Sequence, residues 1–140
     1  MEIVSVRYEE GDRLSVSIRG HRLLVDQPVS DGGEDSGPTP TELFVAGLAA
    51  CVGFYAERFL RRHELPTEGL EVECGFAFAS DRPARVDRVE LRVLLPAGFP
   101  EDRRPALQAV VEHCTVHNSI THAPSIAISL RSAAHADPGG

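Results

Sequence analysis

The capped helix start Thr39-Pro40-Thr41-Glu42, running straight into fourteen uncharged residues from Leu43 to Ala56, constrains this chain more than any other stretch. Thr39 is a good N-cap, Pro40 suits the first helical position, and Glu42 stands three residues after the cap, which completes a capping box. The pattern predicts a helix to about His63, roughly 33–36 Å long at 1.5 Å per residue. Arg58, Arg61, Arg62 and His63 fall in its last turns, where cations complement the helix dipole. A helix apolar on nearly every face needs cover on nearly every face, more than one small sheet supplies, so a second subunit is expected against it. Its centre carries a thiol, Cys51, preceded by the small residues Ala46, Gly47, Ala49 and Ala50.

The rest of the chain reads as strands around that helix. Ile3–Tyr8 and Leu14–Ile18 alternate apolar and polar, Gly11-Asp12 turns between them, and Leu23 and Val25 continue the pattern after Arg19-Gly20. Residues 27–38 are rich in Gly and acidic side chains and read as a mobile loop. Leu70–Phe78 and Val89–Leu95 form the clearest hairpin, turning at Ser80–Ala84. Pro100–Pro105 opens a second helix whose apolar stripe is Leu107, Val110, Val111 and Cys114, and Ile126–Leu130 reads as a final strand. The order βββ-α-ββ-α-β implies an α+β fold, an antiparallel sheet packed on a long central helix. One domain is expected over 1–131, with a disordered C-terminal tail at 132–140.

Charge and composition narrow the function. A net charge of −7 argues against nucleic acid as partner. All fourteen cations are Arg, so Lys-based Schiff-base and P-loop chemistry are excluded. Fourteen uncharged residues fall short of the ~20 that cross a bilayer, and Met1–Arg7 lacks a signal-peptide apolar region, so no membrane partner is expected and the cytoplasm is the expected location. Cys51, Cys74 and Cys114 lie far apart with no C-x-x-C, which is no disulfide framework in a reducing compartment.

Cys51 sits mid-helix, beyond reach of the dipole, and needs a cation brought to it to react. Arg58 and Arg62 lie about 20° from it around the helix, but Arg58 is about 10 Å along the axis. Arg19 and Arg22 of the meander are other sources. Glu42 falls on the opposite face of a straight helix, where capping is its simpler role. Cys74, between Val72 and Phe76, reads as core. Cys114 reads as inward-facing and able to meet Cys51, with His117 as a local base or a cap. A metal reading would use His113, Cys114, His117 and His122, but the spacing matches no common zinc pattern.

Gly32-Gly33, Gly37 to Leu43, Ala49-Ala50-Cys51 and Glu112-His113-Cys114-Thr115-Val116 together resemble the OsmC/Ohr family, the osmotically inducible protein C and organic hydroperoxide resistance proteins. Gly20–Asp26 resembles the strand before the family's glycine loop. The resemblance covers about residues 3–131 and is closer to the less characterised OsmC-like branch. It implies an intertwined homodimer with two sites at the interface, and a thiol peroxidase, of peroxiredoxin-type activity in the oxidative stress response, that uses no cofactor or metal. Cys51 would be the peroxidatic thiol, Cys114 the resolving one, Arg19 the activating cation, Glu42 the accompanying carboxylate, and an external dithiol the reductant. The family's usual Glu, ten residues before the first Cys, is Thr41 in this chain. The other readings are a non-catalytic dimer that binds an apolar ligand or senses redox state and, more distantly, a metal-dependent hydrolase.

Overall fold

The computed structural model describes residues Met1–Ala133. Three strands, β1 (Ser5–Glu10), β2 (Arg13–Ile18) and β3 (His21–Val25), form an antiparallel meander with Val6 opposite Val16 and Leu14 opposite Val25. A loop leads to α1 (Pro40–Arg62). A hairpin of β4 (Glu71–Phe78) and β5 (Val86–Leu94) follows, then α2 (Arg104–Val111) and α3 (Thr115–Thr121). The α+β class, the antiparallel strands and the long central helix are as the pattern implied.

The capping box of α1 is complete. The Glu42 N–H donates to Thr39 Oγ1 at 3.1 Å, and the Thr39 N–H donates to Glu42 Oε1 at 2.8 Å. A cap of this kind is worth about 1 kcal/mol. The helix packs against β4, β5, α2 and α3 through buried Leu48, Val52, Ala56 and Phe59. By length and composition alone α1 would also qualify as a membrane span, since the helix is longer than its uncharged run. In this fold that apolar surface forms the packing centre of the second half of the chain.

Five expectations are corrected, the last of them the loop 27–38. The strands divide into two sheets, the meander and the β4–β5 hairpin, and it is the hairpin that packs on α1. The second helix ends at Val111, so Cys114 leaves its stripe and becomes the N-cap of α3, a helix the sequence pattern did not resolve. Ile126–Leu130 forms no strand: Ile126, Ile128 and Leu130 are 79%, 86% and 94% exposed, and no described edge pairs with the segment. Cys74 is only half-buried, although burial still raises its thiol above the ordinary range. Residues 134–140 of the expected tail lie outside the described residues.

The loop 27–38 is tied down rather than loose. Asp26, at 2% exposure, accepts from the Ser36 hydroxyl at 2.6 Å and from the backbone N–H groups of Gln27 at 2.8 Å, Ser36 at 3.1 Å and Glu34 at 3.3 Å. These donors, the Ser36 hydroxyl foremost, lower its carboxyl to about 2 against the opposing effect of burial. A carboxylate with a lowered native pKa stabilises the fold above the unfolded pKa near 3.8 and loses that contribution as pH falls towards 2. Urea midpoints measured between pH 5 and 2 are therefore expected to show an acid-dependent fall that is missing from Asp26→Asn, which should be less stable at neutral pH.

Candidate functional site

Two thiols from distant parts of the sequence meet at the junction of α1 and α3. Cys51 is half-buried in the middle of α1, and Cys114 is fully buried at the α3 N-cap. The Val116 N–H points at Cys51 Sγ, 3.5 Å away, and the His117 N–H at Cys114 Sγ, 3.4 Å away. Burial raises the Cys114 thiol; the His117 N–H opposes this; the neighbouring Cys51 raises it further. Cys114 thus holds its proton more firmly than an ordinary thiol. Leu48, Val52, Val89, Leu91, Val111 and Val116 enclose the pair in apolar side chains. Tyr55, one turn along α1, meets Thr115 Oγ1 at 2.9 Å and fastens α3 to the helix.

The other candidates stand apart from the sulfurs. Glu42 is exposed and engaged in the cap, about 13 Å of helix rise from Cys51. Arg19 lies in the β2–β3 turn with a positive φ of 56°, on the meander that does not form part of the α1 packing. Arg22 pairs with Glu9. Arg58 lies over the Phe54 ring, its guanidinium carbon 5.2 Å from the centroid. Among the described residues, the hydrogen-bond partner of Cys51 is the Val116 N–H. Among the described residues no three His, Cys, Asp or Glu converge as metal ligands, so His113, Cys114, His117 and His122 do not gather into a site. His117 instead has a buried Nδ1 with no hydrogen-bond partner, beside Val52 and Val111.

Sequence reasoning missed Asp26 and Tyr55. Asp26 had a signal, an acid at the end of a strand with Ser36 in the glycine loop beyond, but it was masked by the other acids of that loop. The signal for Tyr55 was its position four residues after Cys51, which places it about 40° away on the same face.

The sequence model of the OsmC-like proteins matches residues 33–129, most of the chain and all three of its cysteines. This chain is an OsmC-like protein. Among solved structures, it is similar to a protein from Psychrobacter arcticus 273-4 named for osmotic stress induction and a detoxification response. The TM-score is 0.77 at 23% identity, covering 85% of this chain and 88% of that one. It is also similar to the OsmC like protein from Mycoplasma pneumoniae, with a TM-score of 0.75 and 14% identity over 88% and 89% of the two chains. A third is an organic hydroperoxide resistance protein from Legionella pneumophila, at 0.65 and 20% over 86% and 88%. These likenesses establish a shared OsmC fold. Among curated proteins, none matches the chain by sequence.

Proposed function

We propose that this OsmC-like protein is a two-cysteine peroxidase that reduces organic hydroperoxides, and the observation that carries the reading is the convergence of Cys51 and Cys114 at the start of α3, each sulfur faced by one of two consecutive backbone N–H groups. The Cys51 thiolate attacks one peroxide oxygen. The S–O bond forms as the O–O bond breaks, two electrons pass from sulfur to the peroxide, and the alkoxide takes a proton to leave as an alcohol. Cys114 then attacks the Cys51 sulfenic sulfur. The S–S bond forms and the hydroxyl departs as water with the Cys114 proton. An external dithiol reduces the disulfide to two thiols and becomes a disulfide itself. The apolar enclosure favours a substrate with an organic tail over hydrogen peroxide.

The cytoplasm is the proposed location, and the working unit is proposed to be a homodimer. Val6, Tyr8, Phe44, Phe54 and Phe78, with Ile126, Ile128 and Leu130, are large apolar side chains left exposed, which a second copy would cover. A second copy would also be the way for Arg19 to approach Cys51. The test is one equivalent of an organic hydroperoxide added to the reduced protein, followed by peptide mass spectrometry without reductant. A Cys51–Cys114 disulfide with Cys74 free is expected. Both site thiols remaining free would sink the proposal.

A further inference from the structure

Among the described residues, two hydrogen bonds join α1 to α3. One runs from the Val116 N–H to Cys51 Sγ at 3.5 Å, and the other links the Tyr55 hydroxyl to Thr115 Oγ1 at 2.9 Å. The first ends on the sulfur that a peroxide would oxidise, so the chemistry itself alters its acceptor. The second joins two hydroxyls that the chemistry leaves untouched. Tyr55 stands one turn from Cys51, about 6 Å along α1 and about 40° around it, and Thr115 directly follows Cys114. The Tyr55 ring is itself held, packed on the cluster of Leu48, Val52 and Cys114 and meeting the Phe54 ring edge-on with centroids 5.7 Å apart. The start of α3 is internally braced as well. The Asn118 N–H donates to the Cys114 carbonyl at 2.9 Å, and Asn118 Nδ2 donates to the His113 carbonyl at 3.1 Å. Whatever holds Thr115 therefore holds Cys114.

We infer that Tyr55 is a positioning residue for disulfide closure, holding the start of α3 on α1 through Thr115 while the Cys51 sulfur is in its oxidised form. The inference rests on the proposed peroxidase for the step it serves. In that step the Cys114 sulfur bonds to the Cys51 sulfur, the S–O bond breaks, and the hydroxyl leaves as water with the Cys114 proton. The attack needs the entering sulfur in line with the breaking bond, and a misplacement of about 1 Å costs about 10²-fold in rate. Once the Val116 contact is altered, the Tyr55–Thr115 bond is the remaining hydrogen bond between the two helices among the described residues. Its hydroxyls act through the placement of Cys114, so their loss falls on closure and spares the first attack of Cys51 on the peroxide.

Tyr55→Phe and Thr115→Val each remove the bond while keeping the ring or the branched shape. The reduced full-length protein is mixed with one equivalent of tert-butyl hydroperoxide, quenched in acid over time, and read by peptide mass spectrometry for oxidised Cys51 and for the Cys51–Cys114 disulfide. Each variant is expected to close the disulfide about 10-fold more slowly than the parent, while Cys51 is oxidised at a rate within about 2-fold of it. Thr115→Ser, which keeps the hydroxyl, should restore closure. The Tyr55→Phe/Thr115→Val double variant should be no slower than either single one, because both substitutions remove the same bond. Closure at the parental rate in Tyr55→Phe, equal slowing of both steps, or losses that add in the double variant would overturn the inference. If Thr115→Val fails to fold, Tyr55→Phe decides. Failure of the peroxidase reading shows separately, as a Cys51 that hydroperoxide leaves unreacted. In that event closure is measured at saturating diamide, which takes two electrons and two protons from the thiol pair, becomes the hydrazine, and leaves the same disulfide. A parent that closes about 10-fold faster than Tyr55→Phe keeps the positioning role without the peroxidase, and equal rates overturn both.

Discussion

Cys51→Ser is expected to lower kcat/KM for organic hydroperoxide by about 10³-fold or more, because the hydroxyl that replaces the thiolate cannot attack the O–O bond at useful rate. Cys114→Ser should behave differently. Its first turnover should proceed at the wild-type rate and stop at the Cys51 sulfenic acid, visible as a mass increase of one oxygen on the Cys51 peptide, and later as irreversible over-oxidation. Reduction by a dithiol should then be slow, because no Cys51–Cys114 disulfide is formed for it to attack. In the wild-type protein the resolving step should accelerate with pH through the thiol range. Burial, the largest cause of the raised Cys114 thiol, persists after Cys51 is oxidised, so Cys114 must still lose a proton in an apolar setting before it attacks. A resolving step with flat pH dependence, or equal loss of the first turnover in both variants, would contradict this division of labour.

The parts of this arrangement that were legible in the sequence are those set by neighbours along the chain. The α1 start was legible because Thr39, Pro40 and Glu42 satisfy the orphan N–H groups from within four residues. The β4–β5 hairpin was legible because Val72, Val89, Leu91 and Val93 alternate and pack on one core. Cys114 was placed near Cys51 for a reason that fails: the stripe Leu107, Val110, Val111 does not carry it there. The helix stops at Val111, Cys114 turns extended with φ −69° and ψ 156°, and its sulfur accepts the His117 N–H from the first turn of a new helix. The thiols meet because that second start docks on α1, a tertiary event with no periodic signature. Ile126–Leu130 shows the converse. Its alternation is real, but a strand needs an edge to pair with, and local pattern cannot supply one.

The glycine loop is where the sequence reading went furthest astray, and it makes the sharpest structural prediction. A loop of Gly, Ser and acids reads as loose, yet two of its glycines are there because backbone passes against backbone. A Cβ on Gly37 would lie 2.2 Å from the Leu24 carbonyl oxygen, and one on Gly33 would lie 2.1 Å from that of Gln27. Neither neighbour is a flexible side chain, so the loop itself must move. Gly37→Ala is expected to destabilise the protein by about 1–3 kcal/mol, the range of an overpacked interior. Moving the loop away from β3 would break the bond from the Asp26 N–H to the Pro38 carbonyl, 3.1 Å long, and loosen the donors around the Asp26 carboxylate. The variant should therefore also lose part of the acid-dependent fall in stability that Asp26 produces. Gly20→Ala, in a turn with nothing within 4 Å of the added methyl, should stay within about 0.5 kcal/mol of the parent. Chemical denaturation of the three proteins at pH 7 and pH 3 separates the outcomes. A Gly37→Ala protein as stable as Gly20→Ala at both values would show that the loop is as loose as its composition suggests, and that the Asp26 bonds do not hold it against β3.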